Sequence, residues 1–488
     1  MKKILLSASL LMLSTAAFAA IDDFAYEARN GLTCENLWIL DYNHSGEGNP
    51  GTELKKYEIS GSSSPSAVTD GEYIYAATTT RTIDASNTAA CIEVFDFMTG
   101  AYVKTIDLTL DGQPFTGTLV ANNVGIDEYG NLWVGSMISN TNGDANAPIY
   151  LVDKETGALT SVGTLSVQGG KGRTDYWDVI GDLTGVNAGA TVLGVTSAAD
   201  NINIFNWRLE QGSTTWNGGW EDGSVTRMAN GTYPADVIGW STGSMCKMFR
   251  PSEDGVLTTF YIDACNTYPA LYYNDGSMSE NNFGNVDYIK TDPDDPTITS
   301  GTIPAPVTTN PNGIAEGTIG DNHFIAYVIE EHDKGCQRIA VTSVDADFNF
   351  TSMEYLWTLP EAGLGTVQAG GRRLGVIQFI EGESDAEGNA CGYLFYYKGG
   401  NGMAVYRIAE EGFKGSVAEN FVADANITVN GDVIAVSEVA ESIEVYNVAG
   451  QMVGQVENAS EIAAPATGLY IVKAVVEGAP VVKKVIVK

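Results

Sequence analysis

"IEVFDFMTGAYVKTIDL" (92–108) and "IYLVDKETGALTSVGTL" (149–165) follow one plan. In each, an apolar run reaches an Asp, crosses two residues to Thr-Gly, and starts a second strand. Asp96 matches Asp153, and Thr99-Gly100 matches Thr156-Gly157, at an offset of 57 residues. Upstream, "DGEYIYAATTT" (70–80) and "YGNLWVGSMIS" (129–139) open their copies with a polar-Gly turn and an alternating strand. Alternation sends every second side chain to one face. The Asp caps a tight turn in which the Gly takes positive φ.

Weaker copies follow at 190–212, 245–276, 320–359 and 373–409, which makes six units. A unit of about four strands cannot bury both faces alone, so units stack around an axis as the blades of a β-propeller. An extra hairpin at 36–60, "NLWILDYNHSGEGNPGTELKKYEIS", is expected to complete the last blade and close the ring. Six blades are preferred, with five and seven open. A string of β-sandwiches is the alternative, disfavoured by the repeat period and the absence of clear linkers. The Pro- and Thr-rich stretch 290–313 reads as a long loop between blades.

Composition agrees with an all-β chain. Gly is frequent (55 of 488 residues), and Val, Ile, Thr and Tyr come in short bursts between turn formers. Acidic residues outnumber basic ones 61 to 26, for a formal charge of -35. Such a surface repels phosphate backbones, which excludes nucleic acid as a partner, and it keeps an exported protein soluble. Ca²⁺, held loosely, is the one cofactor it suggests.

"MKKILLSASLLMLSTAAFAA" (1–20) pairs two lysines with an apolar run and an Ala17-Phe18-Ala19 cleavage site. This is a secretory signal peptide, too short to span a membrane. No later stretch approaches 18 apolar residues, so no transmembrane segment is expected in the mature chain. Export permits disulfides among the six cysteines. Cys246 and Cys265 are the favoured pair, because the segment between them reads as a hairpin, with free thiols as the alternative.

Chemistry is scarce. His44, His323 and His332 are the only histidines, so a Ser-His-Asp or Cys-His site has little to draw on. C-x-x-C is absent. "DADFN" (345–349) starts like a Ca²⁺ loop but has Phe350 where Gly is needed and Leu356 where Glu is needed. "DPDD" (292–295) is an acidic turn, and "SEDGVLTTF" (252–260) is a hairpin turn. No catalytic or metal residue is assigned. The better hint is aromatic. Trp207, Trp216, Trp220 and Trp240 fall within 34 residues, and Tyr176 and Trp177 precede them, with Arg173 close by. Exposed indoles beside Asn, Asp and Glu stack on sugar rings. The competing reading wedges them between blades.

The composition changes near residue 418. The organisation expected is a propeller at 21–418, a linker at 419–426 and a small sandwich at 427–488. Seven short strands are expected in the last part, at 427–429, 432–437, 442–448, 451–456, 460–464, 468–476 and 481–487. Three motifs lie there in order: "SIEVYNVAGQMV" with Tyr446 and Gly450, "GLYIVK" with Gly468, Tyr470 and Lys473, and "KKVIVK" with Lys483, Lys484 and Lys488. Over residues ~424–488 they resemble the type A C-terminal sorting domain of the type IX secretion system of Bacteroidetes. That resemblance implies an Ig-like fold, recognition by the type IX export machinery and removal by its sorting protease. It also implies a passenger that is anchored at the cell surface or released. The preceding region resembles uncharacterised secreted propeller proteins of the same bacteria, which names no ligand.

The expected function is a non-catalytic β-propeller, secreted or at the cell surface, binding a glycan or a protein. A polysaccharide hydrolase or lyase working through two carboxylates and a structural surface component are the alternatives.

Overall fold

The computed structural model describes residues 25–41, 66–82, 88–117, 120–136, 138–140, 145–167, 172–174, 177–198, 201–218, 226–229, 245–251, 257–263, 270–273, 289–291, 302–304, 313–329, 338–346, 354–360, 363–364, 375–399, 401–414, 427–430, 433–447, 452–464, 466, 468–476 and 479–487. The regular structure there is all strand. The chain forms two compact units. One comprises Ala17–Gly382 and Cys391–Glu411. The other comprises Met1–Ala16, Glu383–Ala390 and Gly412–Lys488.

The larger unit is a β-propeller with six antiparallel sheets. Blade 1 holds Ser66–Thr69, Tyr73–Thr82, Thr88–Asp96 and Tyr102–Asp107. Blade 2 holds Asn123–Ile126, Leu132–Gly135, Ala145–Val152 and Leu159–Val167. Blade 3 is built on Trp177–Gly181, Ala190–Ala198, Asn201–Leu209 and Trp216–Gly218. Blade 4 shows three strands, Met245–Pro251, Leu257–Asp263 and Ala270–Tyr273. Blade 5 holds Ile314–Ile319, Asn322–Val328, Ile339–Val344 and Glu354–Leu359. Blade 6 holds Gly375–Glu381, Cys391–Lys398 and Gly402–Glu410.

The first strand of each blade touches the first strand of the next, and that of blade 6 returns to that of blade 1. The ring is therefore closed. Its last sheet is completed by the N-terminus. Leu32–Asp41 pairs antiparallel with Gly402–Glu410, and Ala25–Arg29 pairs with Leu32–Asp41. The closing hairpin thus lies earlier than the expected 36–60. Its turn is Asn30-Gly31, both with positive φ (52° and 72°), the dipeptide that a two-residue hairpin favours. Residues 42–65 lie outside the described residues.

Strand alternation here separates one neighbouring blade from the other, rather than core from solvent. Ile74, Ala76 and Phe95 of blade 1 pack on Phe395, Tyr397 and Val405 of blade 6. Tyr75, Ala77, Ile92 and Val94, on the opposite face, pack on Val124, Leu132 and Val134 of blade 2. Both faces of the sheet are buried, which explains why its strands read as nearly continuous apolar runs.

The repeated Asp turn forms as expected. The Asp96 carboxylate accepts hydrogen bonds from the Thr99 N–H (2.8 Å) and the Thr99 hydroxyl (2.6 Å). The Asp153 carboxylate accepts from the N–H groups of Thr156 (2.8 Å) and Glu155 (2.9 Å). Gly100 and Gly157 take φ of 67° and 72°. In the stretch 290–313 expected as loop, Ile289–Thr291 and Thr302–Pro304 form a short parallel pair.

In the smaller unit, the C-terminal strands among the described residues number five, against the seven expected. They are Ile427–Asn430, Val433–Asn447, Met452–Ala463, Gly468–Val476 and Ala479–Val487. The two expected breaks, at 438–441 and 457–459, fall inside long strands, the first of them at a register shift. Val433–Asn447 slips against Met452–Ala463 between Ala435 and Ala440 and again at Val445–Tyr446, and each strand continues through its irregularity. The two ends of the sheet, Ile427–Asn430 and Ala479–Val487, touch each other. Ile427, Ile434, Ile443, Val445, Val472 and Val487 share the enclosed core.

Candidate functional site

The expected aromatic site centres on blade 3. Trp177, in its first strand, and Trp207, in its third, are 1% and 2% exposed. Their rings lie 5.3 Å apart, within a core that includes Trp133, Ile149 and Leu165 of blade 2. Trp216 is half-buried. Its indole N–H donates to Val162 O at 2.9 Å, and its ring lies over Gly163, where a Cβ would fall 2.6 Å from the indole. Gly163 sits at the irregularity in the pairing of Ala145–Val152 with Leu159–Val167. That bulge makes the notch the indole fills. These three tryptophans therefore lock blade 3 to blade 2, and the expectation that they stack on a ligand is corrected for Trp177 and Trp207. Both are wrapped by apolar neighbours and present no ring face to solvent. Trp220, Trp240 and Tyr176 lie outside the described residues, as does the Arg173 side chain.

A carboxylate device that the sequence analysis missed recurs in the turn between the first and second strands of a blade. Asp127-Glu128-Tyr129-Gly130-Asn131 and Asp385-Ala386-Glu387-Gly388-Asn389 share D-x-x-G-N. Asp127 Oδ1 accepts from the N–H groups of Tyr129 and Asn131, and Oδ2 accepts from Asn131 Nδ2, each at 2.9 Å. Oδ2 also accepts from Leu183 N, in the turn of the next blade, at 2.9 Å. Asp385 repeats this, with Oδ1 taking Asn389 N (2.8 Å) and Oδ2 taking Asn389 Nδ2 (2.9 Å) and Lys414 N (2.7 Å). Asp182 holds Thr184 and Asn187 in a related turn. Burial alone would raise the Asp182 pKa, but the Thr184 and Asn187 donors outweigh it and bring it to about 2. At Asp385 desolvation is likewise outweighed, by Asn389 and Lys414, and the carboxyl falls to about 2. All three carboxylates hold their turns in place through these donors, and those of Asp182 and Asp385 stay ionised near neutral pH. The signal was available as D-x-x-G-N, twice.

Among the described residues, no group of three or more His, Cys, Asp or Glu side chains is placed to hold a metal ion. His323 meets the Thr318 hydroxyl at 3.0 Å within one hairpin of blade 5. His44, His332 and most of the Ca²⁺-like stretch 345–349 lie outside the described residues. The hairpin expected around Cys246 forms, with Cys246 opposite Ile262. Cys265 lies outside the described residues. Cys34, Cys91 and Cys391 are buried and are not joined in disulfides.

In the C-terminal sheet, two residues of the sorting-like motifs converge on one carboxylate. Glu444 and Lys473 are cross-strand partners. Lys473 Nζ lies 3.7 Å from Glu444 Oε2, and the Tyr446 hydroxyl donates to the same oxygen at 2.8 Å. That bond raises the Tyr446 pKa. Glu444 and Tyr446 alternate with the buried Val445, and Lys473 lies between the buried Val472 and Ala474. The three polar side chains therefore share the face turned away from the core, beside the exposed Met452, which pairs with Tyr446. Tyr470 is buried against that core. Gly468, Lys483 and Lys484 are placed by backbone only, within the final hairpin. Gly450 and Lys488 lie outside the described residues.

No family model matches the chain, and no curated protein matches it. Solved structures do. A DUF4623 family protein from Bacteroides eggerthii is 12% identical, with 80% of this chain and 77% of that chain covered and a TM-score of 0.48. The β-propeller domain of the Trilobed protease from Pyrococcus furiosus is 9% identical, covering 72% and 92%, with a TM-score of 0.28. The GH32 β-fructofuranosidase BmSUC1 from Bombyx mori is 8% identical, covering 87% of each, with a TM-score of 0.30.

Proposed function

We propose that this chain is a secreted or cell-surface β-propeller that binds a glycan or protein ligand without turning it over. Its C-terminal sheet directs export through the type IX machinery. The observation that carries the non-catalytic reading is the commitment of Asp127, Asp182 and Asp385 to backbone and side-chain donors. A hydrolase needs one carboxyl that holds a proton near neutral pH. The depressed Asp182 and Asp385 are the opposite of that.

The export reading is supported by Tyr446 and Lys473. Both belong to the motifs that resemble the sorting domain, and both meet at Glu444 on the outward face of the sheet. The basic signal-peptide start and the Ala17-Phe18-Ala19 site supply the first export step. Among the described residues no helix is long and apolar enough to cross a membrane.

The test is to apply the mature secreted chain to a glycan array and to surface-protein extracts, and in parallel to incubate it with the same polysaccharides. Saturable binding with polysaccharide chain length unchanged is expected. Release of oligosaccharides would replace this reading with the hydrolase or lyase. Neither binding nor release would leave the structural surface component.

A further inference from the structure

We propose that residues 25–41 are a detachable strap that closes the propeller ring last and opens first, as one cooperative unit. The strap joins three consecutive blades. Leu32–Asp41 pairs with Gly402–Glu410 in blade 6, with a single irregularity between Asn36 and Trp38. Trp357 of blade 5 donates its indole N–H to Glu27 O at 2.8 Å, and the Arg29 guanidinium lies 5.3 Å over the Tyr355 ring. On the other side, the Trp38 indole N–H donates to Phe97 O of blade 1 at 2.9 Å. Its ring covers Gly100, where a Cβ would fall 2.7 Å from it.

These contacts are many, but they differ in kind from those holding the other strands. Thr33 donates to Ala409 O across 376 residues, whereas adjacent strands of blades 1, 2 and 5 follow one another in sequence. Closing a loop of that length costs chain entropy that a local hairpin avoids. Long-range strand pairing also forms late in folding. Blades 6 and 1 also meet directly, through Phe395 and Val405 against Ile74 and Phe95 and through Gln378 at Thr69, so the strap can leave while every blade hairpin and that seam stay in place. Opening leaves the Gly402–Glu410 strand paired on one edge only, with Cys391–Lys398, and uncovers the Trp38 slot on blade 1.

The strap carries its own reporter. Cys34 lies on it and is 1% exposed, while Cys91 in blade 1 and Cys391 in blade 6 are comparably buried off it. Burial, with Glu35 beside it, raises the Cys34 thiol pKa, so Cys34 reacts only when the strap leaves. The experiment is thiol labelling of the mature full-length protein in urea below the unfolding transition, with each cysteine read by peptide mass. Cys34 should label at least ~10-fold faster than Cys91 and Cys391. Trp357→Phe, which deletes the bond to Glu27, should speed Cys34 by roughly five-fold and leave Cys91 unchanged. Trp38→Ala should do so more strongly if it folds. Equal rates at the three thiols, or a Trp357→Phe effect shared by all three, would overturn the proposal.

Discussion

Gln378 clamps Thr69. Its side-chain carbonyl accepts the Thr69 N–H at 3.0 Å and its amide donates to Thr69 O at 2.8 Å. The two residues lie on the first strands of blades 6 and 1, where the two ends of the ring meet. A side chain thus supplies the pair of backbone bonds that a neighbouring strand would otherwise give. Gln378→Ala removes both and should lower unfolding free energy by about 1–3 kcal/mol, measured by urea denaturation. Gln378→Glu, which cannot donate to Thr69 O when ionised, should fall between wild type and Ala.

Two turn glycines should respond differently to alanine. At Gly157 a Cβ would fall 2.1 Å from Asp107 O of the neighbouring blade, and φ is 72°. At Gly130 φ is 82°, and nothing lies within 4 Å. Gly130→Ala carries only the left-handed backbone cost, about 1–2 kcal/mol. Gly157→Ala adds displacement of blade 1 and should lose clearly more. Equal melting temperatures for the two variants would show that the 149–165 turn does not bear on the blade interface.

Acid stability follows from the turn carboxylates. Asp182 and Asp385 have folded pKa values of about 2, below the 3.8 of the free group. A depressed carboxylate contributes stability that is fully present above its unfolded pKa and is lost as pH falls toward the folded one. Stability should therefore decline between about pH 4 and pH 2. Asp182→Asn should be less stable at pH 7 and show a shallower decline in that window, read by thermal unfolding at each pH.

Trp216 packs blade 3 against blade 2. Trp216→Ala removes the bond to Val162 O and empties the notch at Gly163. It should cost up to the ~3–5 kcal/mol typical of large aromatic truncations, reduced by its partial exposure. Loss of ligand binding at unchanged melting temperature would instead return Trp216 to the ligand face.

The repeat was legible because its turn chemistry is local. Asp96 and Asp153 make the bonds their spacing calls for, and the apolar runs around them become blade strands. The closing strap is legible in principle from Asn30-Gly31, but the apolar run at 36–41 can pair on either side, which places the expected turn further along. Aromatic chemistry was less legible. A tryptophan in a Gly-rich stretch reads as exposed, yet Gly163, 53 residues away, makes the notch that receives Trp216. In the C-terminal sheet, five strands appear where seven were expected, because a register shift within a long strand looks like a turn when only hydropathy is read. The meeting of Tyr446 and Lys473 at Glu444 depends on cross-strand register, which sequence spacing alone does not carry.

The most direct test of the account is the location of the protein, in its own host, with and without residues 427–488. Cell fractionation and intact mass would be measured for the full chain, for the deletion, and for Lys473→Glu, which sets like charges against each other at Glu444. The account predicts that the full chain reaches the surface or the medium with its start near Ile21. The deletion should accumulate folded in the periplasm, and Lys473→Glu should export less. A deletion variant that reaches the surface as efficiently as the full chain would contradict it.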